Sequence, residues 1–250
     1  MRLIVLAAGY ATRLYPLTLD RPKHLLEVAG RPVLDHVLAK LAAIDELEHA
    51  YLVTNTKFAD RFREWAASYA GPLCPEIVDD GTGSEDDRLG AIGDLALVLR
   101  EVGADEDAIV VAGDNLVTEP LAGFGRTARK RDACLLAVYD VGDLEAIRRY
   151  NAIEVDDEGR VTFFEEKPER PRSTLTGIAL YYYPRGVLPL VGRYLDEGNN
   201  PDQPGRLVEW LYTRVPVYVW RVPGLWLDIG SPETLEEADR LLSEGAQAAR

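Results

Sequence analysis

The sequence predicts an α/β fold, a mostly parallel mixed sheet flanked by helices on both faces. Three observations carry that expectation. Near-continuous apolar runs at Arg2–Leu6, Tyr51–Thr54, Glu76–Val78 and Ala108–Val111 read as buried strands. Segments with helical spacing alternate with them, at 33–43, 58–69 and 89–102. The first and fourth runs each lead into a glycine turn, Ala7-Ala8-Gly9 and Gly113-Asp114-Asn115, where ligands meet the carboxyl edge of such a sheet.

The first run feeds the stretch around which the chain is organised, Leu6 to Lys23 (LAAGYATRLYPLTLDRPK). It has no helical period until after Pro32, and so long a loop in a compact α/β protein is usually functional. Small residues at Ala7, Ala8, Gly9 and Ala11 let backbone N–H groups approach an anion, and Arg13 and Lys23 add positive charge. Phosphate is the natural partner. A dinucleotide fingerprint is excluded, because it needs a third glycine near Leu14 and an acid ending the second strand, which instead reads Leu52-Val53-Thr54-Asn55. No Gly-Lys-Ser/Thr triphosphate loop is present either.

Further along, Val33, Val37, Leu38 and Leu41 define a helix that Pro32 introduces. Phe58, Phe62, Trp65 and Tyr69 recur at helical intervals and read as an aromatic core stripe. The acidic run Asp79 to Asp87 reads as a solvated loop, with a lid or a subunit contact as alternatives. Ala133–Val138 is another strand, and from Tyr150 the pattern becomes β-rich, with strands at 152–155, 161–165 and 178–183. Helices follow at 188–195 and 207–212, then a strand at 217–222 and a last helix at 233–242, with Ser231 as its cap and Pro232 at its first position.

At 250 residues, 47% hydrophobic, the chain suits one domain with a substantial core. Its net charge of −14 argues against a nucleic-acid or anionic-membrane partner. Only five of the 28 basic residues are lysines, so Lys23 and Lys167 stand out. Cys74 and Cys134 form no metal spacing or disulfide framework and suit a reduced, cytoplasmic compartment. The apolar run after Arg2 is too short for a signal peptide, and no run reaches transmembrane length. His24, His36 and His49 form no metal cluster, and no Ser-His-Asp arrangement is present. Asp114 follows a buried strand and a glycine, which projects its carboxylate at the sheet edge. With Asp228 of Trp226-Leu227-Asp228-Ile229-Gly230 it is a candidate pair for Mg²⁺, a cation held by one or two carboxylates plus substrate phosphates. Taken singly, each Asp equally suits a turn or a helix cap.

LAAGYATRLYPLT followed by RPKHLLEVAGRP closely resembles the signature of the sugar-phosphate nucleotidylyltransferases, most nearly those that make thymidylyl sugars. The resemblance runs from Arg2 to about Ala238. It implies a Rossmann-like nucleotidyltransferase fold of the GT-A type, with residues 1–140 as the nucleotide-binding half and 141–250 as a β-rich sugar-binding half with a C-terminal helix. It implies nucleotide contacts at Leu6, Ala7, Ala8, Gly9, Ala11, Thr12 and Gly90, and catalytic cations Arg13, Lys23 and Lys167. Asp114 and Asp228 match the two metal-binding segments. In Phe164-Glu165-Glu166-Lys167-Pro168, Glu166 maps to the sugar and Lys167 to its phosphate, while Asn115, Tyr150 and Gly177 line the sugar pocket.

The implied reaction is Mg²⁺-dependent transfer of a nucleoside monophosphate from a nucleoside triphosphate to a sugar 1-phosphate, glucose 1-phosphate with dTTP or UTP leading. Three segments depart from the pattern. Leu89-Gly90-Ala91-Ile92-Gly93 lacks the pyrimidine-reading Gln, Asn151 replaces a Gly after Tyr150, and Gly177-Ile178-Ala179 replaces Val-Thr-Gly. Two alternatives stay open: the same chemistry on an inositol, glycerol or choline phosphate, and a non-catalytic nucleotide-sugar-binding relative. A homo-oligomer is compatible with the sequence.

Overall fold

The computed structural model describes residues 1–248. Strands in chain order are β1 (Arg2–Leu6), β2 (Glu27–Val28), β3 (Arg31–Pro32), β4 (His49–Thr54), β5 (Glu76–Asp79), β6 (Ala108–Ala112), β7 (Asn115–Val117), β8 (Cys134–Asp140), β9 (Asn151–Val155), β10 (Val161–Glu166), β11 (Leu175–Tyr183), β12 (Val217–Arg221) and β13 (Trp226–Asp228). Helices are α1 (Val33–Leu41), α2 (Thr56–Ser68), α3 (Ala91–Val102), α4 (Ala122–Arg131), α5 (Leu144–Ile147), α6 (Pro189–Asp196), α7 (Pro204–Leu211) and α8 (Pro232–Ala248). The central sheet runs β12-β8-β11-β6-β1-β4-β5. Its β1–β4, β1–β6, β4–β5 and β8–β12 pairs are parallel, and β11 alone lies antiparallel, between β6 and β8.

The expected mostly parallel, mixed sheet is therefore present, with a core on each face. Strand alternation divides β1 between them. Leu3 and Val5 pack with Phe58, Phe62, Phe124 and the buried face of α1, while Ile4 and Leu6 pack with the buried residues of α3, α6 and α7. Leu3, Ile4 and Val5 are fully buried, each burial worth about 1.5–3 kcal/mol in transfer terms. Phe58 and Phe62 lie in the core and Trp65 and Tyr69 pack partly against it, as the aromatic spacing predicts.

Local chemistry sets the helix starts. The Asn55 side chain accepts from the Phe58 N–H at 3.1 Å, and the Ser231 hydroxyl accepts from the Thr234 N–H at 3.3 Å. Prolines open α6, α7 and α8. Cys74 is exposed, Cys134 is buried, and both thiols are free. No helix among the described residues is long and apolar enough to cross a membrane.

Several elements differ from the sequence reading. Helix α4 lacks an apolar period, with Phe124, Gly125 and Ala128 as its buried face. Strand β13 is three residues long and exists by pairing with β7. The β-rich half contributes one separate hairpin, β9–β10, while β11 and β12 complete the central sheet.

The turn into α3 is the tightest backbone approach near the sheet's carboxyl edge. Gly90 has φ +79°, and a Cβ there would meet the Pro201 carbonyl oxygen at 2.7 Å and the Asp202 Cα at 2.8 Å. Both strain and overlap bar a side chain. Gly90→Ala should destabilise the protein by about 2–4 kcal/mol, read as a lowered urea midpoint at unchanged m-value; an unchanged midpoint would show that the 199–203 loop yields freely.

Candidate active site

The loop after β1 is held from below and left open above. Ala7 N–H donates to the Val53 carbonyl at 2.9 Å, and Asn55 Nδ2 donates to the Ala8 carbonyl at 2.8 Å. Ala11 adopts φ +51°, unusual without glycine, and its carbonyl accepts from the Thr18 hydroxyl at 2.8 Å and the Leu14 N–H at 3.0 Å. Leu6, Ala7 and Ala8 are buried beneath the loop, whereas Gly9, Thr12 and Arg13 are exposed. A cleft of ≈ 380 Å³ is lined by Gly9–Leu14, Lys23, Glu85, Arg88, Asp114, Asp202 and Asp228–Gly230. Size does not single it out, since grooves of ≈ 710 and ≈ 690 Å³ lie elsewhere, but neither contains the loop or these carboxylates.

Pairing of β13 with β7 sets Asp228 opposite Asn115 and so beside Asp114. The Lys23 ammonium donates to Asp114 Oδ2 in a largely buried ion pair. Burial opposes ionisation of Asp114, but the cations of Lys23 and its neighbourhood outweigh it, and the carboxyl titrates below its ordinary value. Burial and the Asp114 charge push Asp228 up to about 6, against the pull of Lys23 and Arg13. Two converging carboxylates with one raised pKa form an oxygen donor set that suits a hard divalent cation completed by substrate phosphates. No cluster of three or more His, Cys, Asp or Glu able to hold a metal is present among the described residues.

His24, next to Lys23, is packed on the Phe62 ring at 5.9 Å, and burial pushes its pKa down to about 3. It is a neutral wedge. Gly113 accommodates it, since a Cβ there would meet His24 Cδ2 at 2.9 Å.

Other expected residues lie outside this cleft. Tyr150 packs edge-on against Trp226, with ring centroids 5.2 Å apart, and the Trp226 indole N–H donates to Asn115 Oδ1. Lys167 adopts φ +50° and donates its backbone N–H to the Tyr150 carbonyl at 2.7 Å. Asn115, Tyr150 and Lys167 thus form one group with Trp226. Glu166 turns toward α7, where a Cβ on Gly205 would lie 1.9 Å from its Oε2. Burial pushes its pKa to about 7 despite the adjacent Lys167 cation, and Oε2 has no hydrogen-bond partner. Gly177 is fixed by Asn151, whose Oδ1 accepts from its N–H at 2.6 Å, and a Cβ there would meet Leu136 at 2.8 Å. Gly90 is buried under Pro201 and Asp202.

Glu85, Arg88 and Asp202 were not among the sequence candidates. Arg88 donates to Glu85 at 3.1 Å and to Asp202 at 3.3 Å. The acidic run that bears Glu85 is solvated from Gly83 to Arg88, as its composition predicts, and is also braced by its own turns. Asp79 accepts from Gly81 N–H, Asp80 from the N–H and hydroxyl of Thr82, and Asp87 from Gly83 and Ser84. An Asp pattern spaced for such turns was the available signal, masked by its net charge. Behind the loop, Asp94 is 4% exposed and its Oδ1 has no hydrogen-bond partner; burial and the nearby Asp80 charge push its pKa up to about 8.

Open backbone, paired carboxylates and two cations at one sheet edge suit chemistry on phosphates, and the fold that carries them is of the nucleotide-binding α/β class. The chain belongs to the nucleotidyl transferase family, whose sequence model matches residues 2–245. It is 32% identical to the mannose-1-phosphate guanylyltransferase of Mycobacterium tuberculosis, over 92% of this chain and 61% of that one. It is 27% identical to a UTP–glucose-1-phosphate uridylyltransferase of Haloferax volcanii, over 98% of this chain and 97% of the relative. Some relatives are longer, one of them spanned to 54% of its length. A solved UDP-glucose pyrophosphorylase complexed with UDP-glucose shares the fold, with TM-score 0.82, 20% identity and 98% of each chain covered.

The buried Asp94 gives a signed pH effect. Its folded pKa of about 8 exceeds the ordinary 3.8, so its stabilisation is complete below that ordinary value, declines as pH rises, and is gone above about 8. Asp94→Asn should remove roughly 1.4 kcal/mol per pH unit of that decline between about pH 5 and 7. Denaturation curves across this window measure it, and a slope equal to the parent's would refute the assignment.

Proposed function

We propose that the protein transfers a nucleoside monophosphate from a nucleoside triphosphate to a sugar 1-phosphate, with Mg²⁺, giving a nucleoside diphosphate sugar and pyrophosphate. The observation that carries this reading is the convergence of Asp114 and Asp228 beside Lys23 and Arg13 at the open loop. The residues fit a magnesium ion, which when bound would supply charge neutralisation between the two anionic substrates.

An oxygen of the sugar 1-phosphate attacks the α-phosphorus in line, one P–O bond forms, and the bond to pyrophosphate breaks. No general base is needed at neutral pH, because a phosphomonoester with a second pKa of about 6 is already mostly dianionic. The barrier is repulsion between anions and charge growing on the leaving group. Arg13 and the loop N–H groups hold the β and γ phosphates, and Lys23 offsets charge beside Asp114. Lys167 orients the attacking phosphate, and Asn115 and Tyr150 contact the sugar. The Glu166 Oε2, buried against Gly205 of α7, is closed to a sugar in this conformation.

The resemblance makes glucose 1-phosphate the first acceptor and thymine or uracil the first base. The Haloferax relative is named for glucose 1-phosphate and UTP, the mycobacterial one for mannose 1-phosphate and guanylyl transfer. No glutamine lines the cleft to read a pyrimidine.

Pyrophosphate release, measured with each nucleoside triphosphate against hexose, inositol, glycerol and choline phosphates, should find a productive pair that chelation by EDTA silences. Asp114→Ala should lower that rate at least about 10³-fold, a loss the size of a missing electrostatic clamp. Lys167→Ala should raise the apparent KM for the acceptor far more than that for the nucleotide. Turnover that survives both EDTA and Asp114→Ala would overturn the mechanism.

A further inference from the structure

The polar groups of the cleft fall into two sets. Arg13, Lys23, Asp114 and Asp228 interact with one another and serve the phosphates. The remaining side chains with charge are Glu85, Arg88 and Asp202. The Tyr10 hydroxyl is already engaged with Thr82, at 3.3 Å to its carbonyl. Glu85 and Arg88 line the cleft with side chains 50% and 42% exposed. The acidic loop presents them in a set position, because Asp79, Asp80 and Asp87 accept hydrogen bonds from its own backbone. Asp202, from the loop that packs on Gly90, holds the far side of the Arg88 guanidinium.

A carboxylate beside a guanidinium matches one base better than the others. Guanine presents N1–H and N2–H side by side, two donors for the two oxygens of a carboxylate. On the adjoining edge, O6 and N7 are two acceptors for the arginine fork. Adjacent edges call for adjacent side chains, and Glu85 and Arg88 touch at 3.1 Å. Uracil and thymine offer a single N3–H between two carbonyls, whose lone pairs a carboxylate oxygen would oppose. Cytosine and adenine each offer one amino donor, so neither engages both oxygens of Glu85. Exposed ion pairs are weak, so the Glu85–Arg88 contact yields readily to a base.

We infer that this cleft selects guanine nucleotides, with Glu85 accepting from N1–H and N2–H and Arg88 donating to O6 and N7. The inference rests on the nucleotidyl-transfer reading, and it replaces thymine or uracil as the base. Asp202 is a positioning residue for Arg88.

The test compares kcat/KM for GTP, ITP, UTP, dTTP, CTP and ATP with the acceptor found productive. GTP should lead by at least ten-fold, and ITP, which lacks the 2-amino group, should fall roughly ten-fold below it. Glu85→Gln should cut the GTP-to-UTP ratio by at least ten-fold, a ratio that general misfolding would not move. A smaller change, or a preferred triphosphate other than GTP, would overturn the assignment. Should no triphosphate turn over, the transfer reading fails by itself, and calorimetry with nucleoside diphosphates decides the base. GDP binding at least ten-fold tighter than UDP, dTDP and CDP supports guanine, and any smaller preference overturns it.

Discussion

Holding two carboxylates at one sheet edge is the constraint on which the cleft depends. Like charges this close resist joint ionisation, as the raised pKa of Asp228 records. The fold resolves the conflict with covalent neighbours. Gly113, lacking a Cβ, admits the neutral His24 ring, and that buried ring anchors the backbone from which Lys23 reaches Asp114. Opposite, the short β13 has too few residues to persist alone, and its pairing with β7 fixes where Asp228 stands. A glycine, a buried histidine and a three-residue strand therefore do as much for the site as the charged groups themselves.

The acidic loop before α3 shows how composition misleads about order. Asp79, Asp80 and Asp87 accept from the N–H groups of tight turns while Glu85, Asp86 and Asp87 stay exposed, and the Asp94 carboxyl behind them stays protonated well above the ordinary range. High negative charge in sequence here corresponds to hydrogen-bond acceptors built into a rigid rim. The strained Ala11 on the opposite rim is likewise pinned, by Thr18. Both walls of the cleft are preorganised, which lowers the entropy lost when a ligand is clasped between them.

Much of this was legible in the sequence because it rests on strong local signals. Apolar runs identified the buried strands, Pro and Ser punctuation set the start of α8, and the phosphate-loop residues, Arg13, Lys23, Asp114 and Asp228 stood out by type and position. What was missed rests on tertiary context. Helix α4 buries a narrow stripe under a basic surface, β13 is defined by its partner, and β11 begins at Leu175, its first residues hidden by Gly177. Asp202 approaches Arg88 from 114 residues away, a contact that no local pattern encodes. Glu166, legible as a strand-end acid, turned out to be buried against α7, because Gly205 leaves room for it.

The reversed strand β11 carries a mechanical consequence. It comes from the second half of the chain yet hydrogen-bonds to β6 on one side and β8 on the other, both from the first half. The two halves are stitched through the middle of one sheet, so no flexible joint divides them along that seam. Bending there would break ladder hydrogen bonds along both flanks of β11. Opening along that seam is therefore resisted by the central sheet, and easy motion belongs to rim loops, side chains and the β9–β10 hairpin outside it.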